Sequence, residues 1–345
     1  MSNTQKQRIL IAPLDWGLGH ATRCAVLIDR WLEKGHEVII ASNGRSAEWL
    51  KQRYPNLEVL TDIPDYAVTY PRKGNMALHF TRHLPRLFEV VRDEHRWLKR
   101  VVALRKIDCV YSDNRYGLYH DDVPCVFITH QLYIRVPWWA KAIIYRILNK
   151  HLTQFHSIWV PDYAKGNMLS GALSHGGRWD NRVHYIGPLS RLEPEHGQRE
   201  IPERNRREGY EIVAIISGPE PARSAFEQQL RQLLTASGRS ALLILGLPDT
   251  VCNEIQGNLT VVNHLSDSEL AVALEQAKLV ICRSGYSTIM DLQALGVRAL
   301  LVPTPGQTEQ EYLAELHTKQ GIHDTIHQKK LTTDMVRLHL QRSAP

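Results

Sequence analysis

The sequence predicts an α/β protein built from two doubly wound, Rossmann-like domains, each with a parallel sheet. Residues 7–42 read as strand, glycine turn, amphipathic helix and strand, and residues 279–303 repeat that order. Between them, residues 191–209 are charged, contain proline and glycine and lack periodicity, as linkers do. We therefore expect an N-terminal domain over residues 1–188, a C-terminal domain over residues 189–330, and a last helix over residues 331–345 that returns toward the N-terminal domain.

Composition and length are those of a globular protein. The 345 residues are 43% hydrophobic and 23% charged, and chains of this length commonly form two domains. No apolar run approaches the roughly 18 residues that a membrane-spanning helix needs, and the run Ile9–Leu14 is too short for a signal-peptide core. The five cysteines are scattered without a CxxC motif, which is typical of reduced thiols, so we predict a cytoplasmic protein.

The net charge of +6 is concentrated in the first half of the chain. Residues 82–106 hold eight Lys or Arg against three Asp or Glu, and residues 135–150 hold four basic residues and no acids. Such an excess attracts anionic lipid headgroups, an acidic substrate or nucleic acid. Because no known nucleic-acid-binding module accompanies it, we expect no nucleic acid partner.

The first glycine turn is Gly17-Leu18-Gly19-His20. It departs from the dinucleotide-binding motif, which requires a small residue in place of Thr22 and an acid after the second strand. His20 falls at the carboxyl edge of the predicted sheet, where open α/β sheets bind ligands and where a histidine can act as a general base. The alternative is that His20 only caps or packs the helix.

The remaining segments of the first half are assigned in order along the chain. Residues 57–81 are predicted as a loop, 84–105 as a long arginine-rich helix, and 107–113, 123–131, 157–162 and 183–189 as strands. Asp113 and His130 each follow a strand at the edge that carries His20. For both residues a role in the site and a purely structural role are equally compatible with the sequence.

Residues 137–152 predict an amphipathic helix that begins with two tryptophans. A basic helix with tryptophan at one end can lie in a membrane interface, and the basic segment 82–106 adds to this interpretation. The alternative is that the helix packs its apolar face on its own sheet.

The second half repeats the α/β pattern. Strands are predicted over residues 211–217, 240–246 and 259–265, and helices over 222–234, 267–276 and 332–341. Residues 280–312 then give a strand, a Ser284-Gly285 turn, a helix from about Ser287 to Leu295 and another strand. A helix start of this kind can bind an anion, with Ser287 and Thr288 adding hydroxyls and Asp291 holding a sugar hydroxyl. Ser287 as an ordinary N-cap and Asp291 as a first-turn acid remain the plain alternative.

Taken with these segments, the chain resembles the GT-B glycosyltransferases, in particular glycosyltransferase family 28, which includes the peptidoglycan UDP-N-acetylglucosamine transferases. The run VICRSGYSTIMDLQALGVRALLVP is similar to the donor-site signature of that family, in which the helix acid that binds ribose is usually Glu and here is Asp291. GQTEQEY is similar to a stretch with two adjacent glutamines, of which Gln310 matches the first and Glu311 replaces the second.

The resemblance implies roles for further residues on both sides of a cleft between the domains. Ser217 and Gly218 resemble the start of the family's phosphate loop, Leu265 belongs to the segment that reads the uracil, and Arg191 keeps the spacing of an arginine near the diphosphate. The remaining matches are Gly17, Gly19 and His20 in the N-terminal loop, His130 and Gln131 on the acceptor side, and Ser284, Gly285, Ser287 and Thr288 at the donor helix.

The resulting hypothesis is an inverting, metal-independent glycosyltransferase that uses a UDP-sugar. The sequence has no DxD motif, so Arg191, Arg223 and helix N-termini would stabilise the diphosphate, with His20 as the base, directly or through Asp113. We expect no cofactor beyond the UDP-sugar, an unidentified acceptor that the basic first half favours as lipid-linked or membrane-proximal, and peripheral contact with the inner face of the plasma membrane.

Two alternatives stay open. One is a UDP-sugar hydrolase or 2-epimerase with the same fold and donor site. The other is a non-catalytic subunit that binds a nucleotide sugar. Its support is that Pro219, Asp291 and Glu311 depart from the family pattern.

Overall fold

The computed structural model describes residues 6–66, 76–134, 138–176, 181–193, 209–247 and 252–342. The chain divides into two units, Met1–Leu189 and Ser190–Pro345. Within the described residues, each unit contains one seven-stranded sheet. The predicted linker over residues 191–209 and the start of the predicted helix at residue 137 lie largely outside these ranges.

The N-terminal unit is a parallel sheet with strand order β3-β2-β1-β4-β5-β6-β7. Its strands are β1 (Arg8–Pro13), β2 (Glu37–Ala41), β3 (Glu58–Leu60), β4 (Cys109–Asp113), β5 (Cys125–Ile128), β6 (Ser157–Val160) and β7 (Val183–Tyr185). Its helices are α1 (Leu18–Glu33), α2 (Gly44–Arg53), α3 (Met76–Arg105) and α4 (Trp138–Leu152). The central strands are almost continuously buried, as expected when helices cover both faces of a parallel sheet.

The register of the central strands aligns their carboxyl ends. Pro13 at the end of β1 pairs with Asp113 at the end of β4, and Asp113 pairs with Ile128 at the end of β5. The loops that leave β1 and β5 therefore flank Asp113. On one side of the sheet, β4 and β5 pack against α3 through a cluster that includes Trp97 and Phe127.

The C-terminal unit has strand order β10-β11-β9-β8-β12-β13-β14, parallel except for β10, which runs antiparallel to β11. Its strands are β8 (Ile212–Ile215), β9 (Ala241–Ile244), β10 (Asn253–Gln256), β11 (Leu259–Val262), β12 (Leu279–Cys282), β13 (Ala299–Leu301) and β14 (Asp324–Thr325). Its helices are α5 (Ala222–Ser237), α6 (Asp267–Gln276), α7 (Tyr286–Leu295), α8 (Thr308–Lys319) and α9 (Thr333–Arg342).

The prediction of two doubly wound α/β domains is confirmed, with local corrections. The predicted loop over residues 57–81 contains β3, and α3 begins at Met76 rather than near residue 84. The edge strand β10 was not predicted because all four of its residues are exposed and show no apolar alternation. It joins β11 through a two-residue turn in which Gly257 has φ +60°, a left-handed value that suits glycine.

The last helix, α9, packs on α5 within the C-terminal unit, where Val336 is fully buried in the core. This contact anchors the helix to its own unit. Its expected return toward the N-terminal domain stays a prediction. In the described part of the chain, no helix combines the length and the apolar character needed to cross a bilayer.

Two buried histidines lie beside each other in the C-terminal unit. His317 and His323 have ring centroids 5.5 Å apart, and His323 is 2% exposed and accepts a hydrogen bond from Ala299 N at 3.3 Å. Burial, with His317 and Arg298 nearby, lowers the pKa of His323 to about 4. An unfolded histidine titrates near 6.5, so the unfolded chain binds more protons between these values, and stability falls as the pH drops through that window.

We predict that His323→Asn, which keeps an acceptor near Ala299 N but does not titrate, weakens the acid dependence of folding. Between pH 7 and pH 5 the free energy of unfolding of the wild type should fall by up to about 2 kcal/mol more than that of the variant. Urea unfolding at both pH values measures this. His36→Asn is the matched control, since His36 also accepts a backbone N–H but is partly exposed. Equal acid dependence in wild type and His323→Asn would contradict the prediction.

Candidate active site

Asp113 at the carboxyl end of β4 is the centre of the N-terminal site and is fully buried. The chain leaves β1 and enters α1 through Gly17, whose φ of +109° is readily adopted only by glycine. His20 lies in the first turn of α1, and its Nδ1 is 3.2 Å from Asp113 Oδ1. The His20 side chain is 16% exposed, so one part of the ring remains open to solvent.

Arg23, one helical turn after His20, contacts every other member of this group. Its Nε donates to Asp113 Oδ2 at 2.7 Å and its Nη2 donates to Asp113 Oδ1. Nη1 lies 3.0 Å from His130 Nδ1, and Nη2 lies 3.0 Å from His20 Nδ1. The structure thus brings His20, Asp113 and His130 together around one buried guanidinium group.

The environment keeps Asp113 ionised. Burial alone would raise the pKa of Asp113, but the Arg23 guanidinium and the His20 imidazole outweigh it and hold that pKa well below its ordinary range. The same carboxylate lies beside Cys24, whose Sγ is 3.3 Å from Oδ2. Burial and then Asp113 raise the pKa of the Cys24 thiol, so Cys24 is held in its neutral form.

The other predicted residues of this unit frame the group. Gln131 N donates to Thr129 Oγ1 at 3.0 Å directly after β5, and the Gln131 side chain is half-buried. The carbonyl of Gly19 accepts from Thr22 Oγ1 at 3.1 Å. Arg23 was not among the residues predicted from the sequence, although its place three residues after His20 on one helix face was a usable signal.

In the C-terminal unit, α7 begins at Tyr286 with Gly285 as its N-cap. Ser287 therefore occupies the first turn of α7, and the alternative interpretation of Ser287 as the N-cap is wrong. The N-cap glycine has no side chain with which to cap the helix, and Ser287 and Thr288 are both partly exposed at this end. The helix start keeps the features of an anion site: backbone N–H groups, two hydroxyls and the positive end of the helix dipole.

Asp291, one turn into α7, is held by a residue that the sequence did not single out. Ser190 Oγ donates to Asp291 Oδ1 at 2.6 Å and accepts a hydrogen bond from Leu192 N at 3.0 Å. Burial raises the pKa of Asp291 to about 6, although Arg191 and the Ser190 hydrogen bond act in the opposite direction. Asp291 therefore titrates close to neutral pH.

Arg191 lies in the same neighbourhood and is part of an ion pair. Its Nη1 is 2.7 Å from Oδ1 of Asp267, which belongs to the first turn of α6. Leu265, just before α6, is partly exposed and packs on the core of the unit. Burial, and then the charge of Arg191, lower the pKa of His264, the residue before Leu265. The segments around residues 191, 265 and 291, predicted to contact one nucleotide, thus lie in one region.

The turn between β8 and α5 differs from the predicted phosphate loop. Gly218 has φ +105° and Ser217 is half-buried. Glu220 occupies the start of α5, since its carboxylate accepts from Ser224 N at 3.2 Å and from Arg223 Nε at 2.7 Å. Arg223 also pairs with Glu227 at 3.1 Å and is buried, so its charge is already balanced by two carboxylates.

The loop between β13 and α8 is fixed by hydrogen bonds from the predicted sugar-facing residues. Gln310 Oε1 accepts from Thr304 N at 2.8 Å, and Ser284 Oγ donates to the Gln310 carbonyl at 2.7 Å. Gln310 is buried, whereas Glu311 is exposed and accepts from Gly306 N at 3.0 Å. In this arrangement the Oε1 atom of Gln310 organises the loop.

Arg283, directly after β12, forms hydrogen bonds with the first residues of the same loop. It is fully buried, stacks 3.8 Å from the centroid of Phe226, and donates through Nη1 to the carbonyls of Val302 and Pro303. Burial lowers its pKa to about 10. Arg283 lies within the donor-site motif, but its position between an apolar strand and a serine gave no separate signal in the sequence. Among the described residues, no group of three or more His, Cys, Asp or Glu side chains is arranged to hold a metal ion.

Comparison with known proteins agrees with this architecture. Residues 249–344 match the glycosyltransferase family 28 C-terminal domain. An uncharacterized glycosyltransferase from Methanosarcina acetivorans is 25% identical over 329 residues, which cover 91% of this chain and 84% of that protein. A UDP-N-acetylglucosamine–N-acetylmuramyl-(pentapeptide) pyrophosphoryl-undecaprenol N-acetylglucosamine transferase from Desulforudis audaxviator is 44% identical over 78 residues, 22% of this chain and 20% of that protein.

Solved structures match nearly the whole chain. The calicheamicin glycosyltransferase CalG4 covers 99% of this chain and 91% of its own, with a TM-score of 0.65 and 15% identity. MurG from Acinetobacter baumannii covers 98% of this chain and 93% of its own, with a TM-score of 0.53 and 15% identity. At such identity these likenesses concern the fold, and they confirm the GT-B architecture. The chain is therefore a glycosyltransferase with the GT-B fold and the C-terminal domain of family 28.

Proposed function

We propose that the chain is an inverting, metal-independent glycosyltransferase that moves a sugar from a UDP-sugar to a hydroxyl of the acceptor. The observation that carries the proposal is the 3.2 Å contact between His20 Nδ1 and the ionised, buried Asp113 at the carboxyl edge of the N-terminal sheet. A histidine held in this way by a carboxylate is a suitable general base for a hydroxyl.

In the proposed reaction, Nδ1–H of His20 donates to Asp113 and Nε2 takes the proton of the acceptor hydroxyl. The acceptor oxygen attacks C1 of the sugar from the face opposite the diphosphate, the C1–O bond breaks, and UDP leaves with the bonding electron pair. Asp113 stabilises the positive charge that develops on His20. General base catalysis of this kind contributes roughly 10²–10⁴-fold to the rate.

For the donor, the proposal assigns the ribose to Asp291 and the diphosphate to the start of α7. Asp291 Oδ1 is occupied by Ser190, which orients the carboxylate so that Oδ2 can accept from ribose hydroxyls. The N-cap of α7 is a glycine followed by two hydroxyl side chains, whereas the Glu220 carboxylate accepts from a backbone N–H in the first turn of α5. This contrast favours α7, with Ser287 and Thr288, as the place of the phosphates and leaves Arg223 a structural role.

The choice of UDP rests on the family 28 domain and on relatives whose names state a UDP-N-acetylglucosamine donor. Arg191 would contribute positive charge near the diphosphate, next to its partner Asp267. The exposed carboxylate of Glu311, where the family pattern has a glutamine, would alter the contacts available to the sugar. A screen of several UDP-sugars as donors would identify the sugar.

The acceptor side of the proposal includes contact with an anionic membrane through α4. Trp139 and Ile143 on this helix are 65% and 66% exposed, and Lys141, Arg146 and Lys150 are exposed beside them. A helix with exposed tryptophan and isoleucine among basic residues fits the interface of an anionic bilayer. A lipid-linked or membrane-proximal acceptor would then be reached from that surface.

We predict that His20→Ala lowers kcat by roughly 10²–10⁴-fold while the Kd for UDP changes less than threefold, because the base does not contact the nucleotide. UDP release from several UDP-sugars in the presence of a bacterial lipid extract measures turnover, and isothermal titration measures binding. His36→Ala is the control. A large loss of UDP affinity in His20→Ala would contradict the assignment, and the absence of UDP binding at millimolar concentration would overturn the donor proposal.

Free sugar or an isomerised donor formed without acceptor would indicate a hydrolase or an epimerase.

We predict that nucleotide binding weakens as Asp291 is protonated. With a pKa of about 6, the carboxylate that accepts ribose hydroxyls is present above that value and lost below it, so UDP-sugar affinity should fall roughly tenfold from pH 7.5 to pH 5. The ligand in this binding measurement is a UDP-sugar, because its diphosphate does not titrate in this pH range. Asp291→Asn should bind more weakly at pH 7.5 and show little dependence on pH. An unchanged pH dependence in Asp291→Asn would assign the titration to another group.

We predict that the protein sediments with anionic liposomes at low salt and is released at high salt, since screening weakens the attraction of basic residues to the surface. Replacement of Trp139 and Ile143 by Ser should reduce sedimentation severalfold. Ile255→Ser is the matched control, because Ile255 is 76% exposed but lies on β10 of the C-terminal unit. Equal loss in both variants, or binding that ignores salt, would count against contact through α4.

A further inference from the structure

Two exposed aromatic side chains lie at the carboxyl edge of the N-terminal sheet, and the proposed reaction has given them no role. Trp16 follows β1 and is 38% exposed, and Tyr163 follows β6 and is 39% exposed. A single exposed ring is ordinary on a protein surface. These two rings differ from that ordinary case in where they lie and in how they are held.

The strand order separates the two rings by a defined stretch of the sheet edge. From Trp16 to Tyr163 the edge passes β1, β4, β5 and β6, which is three strand spacings or roughly 14 Å. The successive pairings of these strands connect Pro13 with Trp159, so the two aromatic residues leave the sheet at nearly the same level. The span between them is longer than one sugar ring.

The polar groups of the candidate site lie within that span. His20 leaves the sheet by the same loop as Trp16, but its ring is directed toward β4, since its Nδ1 is 3.2 Å from Asp113. His130 and the half-buried Gln131 follow β5, the next strand along the edge. The edge therefore presents hydrogen-bonding groups in its middle and an aromatic ring on each side of them.

Trp16 is braced from three directions. On one side of it in the chain, Leu14 N donates to a carbonyl of β4 at 3.1 Å and Asp15 Oδ1 accepts from the first turn of α2 at 3.2 Å. Its ring meets that of Tyr66 edge to face, with 6.3 Å between the centroids. The Tyr66 hydroxyl donates in turn to the buried carboxylate of Glu94 at 2.8 Å.

Tyr163 is held by the residue before it. Asp162 is fully buried, and its Oδ1 accepts from Tyr163 N at 2.7 Å. The same carboxylate accepts from Leu169 N at 2.9 Å and from Ser170 N at 2.8 Å, which folds the loop after β6 back on Asp162. Tryptophan and tyrosine have only two side-chain torsions, so rings on backbones fixed in this way lose little entropy when a ligand covers them.

We propose that Trp16 and Tyr163 bind the acceptor by stacking on its sugar rings, with the reacting hydroxyl between them at His20. This inference rests on the proposed function and names the class of acceptor, a saccharide of two or more rings. A sugar ring has apolar C–H faces and hydroxyls on its rim. It therefore matches an edge with aromatic rings at its ends and hydrogen-bonding groups between them.

The test is saccharide binding by the full-length protein, measured by saturation-transfer difference NMR without UDP. The probes are cellotriose, chitotriose, maltotriose and mannotriose, with the matching methyl glycosides as single rings. We expect saturation of ring C–H protons in at least one trisaccharide, and weaker binding of its methyl glycoside, which cannot reach both aromatic rings.

The variants test the two rings separately. Trp16→Ala and Tyr163→Ala should each raise the Kd of the bound trisaccharide roughly threefold or more, and Trp16→Phe and Tyr163→Phe should raise it less because they keep a ring. Leu104→Ala is the control, since Leu104 is exposed at the opposite edge, where α3 leads into β4. If an alanine variant does not fold, Trp16→Leu or Tyr163→Leu replaces it, because leucine keeps apolar area without a ring.

Three results would overturn the proposal. They are the absence of binding by all four trisaccharides, equal losses in Leu104→Ala and the aromatic variants, and binding of 4-nitrophenol at these rings without binding of any saccharide. The measurement needs no donor, so its failure is distinct from that of the proposed function. Saccharide binding that depends on both rings, in a protein that does not bind UDP, would support the acceptor surface and refute the UDP-sugar transferase.

Discussion

The buried ion pair between Arg23 and Asp113 is the interaction on which the N-terminal site depends. It joins the first helix of the chain to the end of a central strand, and both histidines of the site take their orientation from it. Neither member is stable there alone, since removal of one partner from a buried pair leaves an uncompensated charge and typically costs about 3–5 kcal/mol. The fold and the site are therefore coupled, because the contact that orients His20 also fastens α1 to the sheet.

The two units hold their key carboxylates in different ways. Asp113 is neutralised by a guanidinium group and stays ionised at any ordinary pH, whereas Asp291 receives a single hydroxyl and titrates near 6. A permanent charge suits a residue that must support a cationic imidazole. A carboxylate with a weaker partner suits a residue that exchanges hydrogen bonds with an incoming ligand. Environment thus separates the proposed roles of two chemically identical groups.

The sequence was sufficient to predict the fold class and much of the geometry of the sheet edge. Both βαβ patterns were visible in it, and α6 begins at the predicted residue because Ser266 and Glu269 form a capping box. The strand β10 escaped prediction because it is polar and exposed, so no pattern distinguishes it from a loop. His20 and Asp113 could be placed together because parallel strands end at one edge.

The ion pairs could not be predicted from the sequence. Arg23 looks like any arginine on an amphipathic helix, and only the register of β4 against β1 reveals that its neighbour is a buried aspartate. Arg223 was assigned to the diphosphate by its position, and its two glutamate partners become visible only when α5 is built.

The contact between Ser190 and Asp291 has a consequence for the choice of acid at position 291. The Ser190 hydroxyl donates to Asp291 Oδ1 at 2.6 Å, so the position of the carboxylate at the end of this short side chain is matched to residue 190. A glutamate at position 291, one methylene longer, would carry its carboxylate past the Ser190 hydroxyl, so the choice of acid at position 291 depends on which residue stands at position 190.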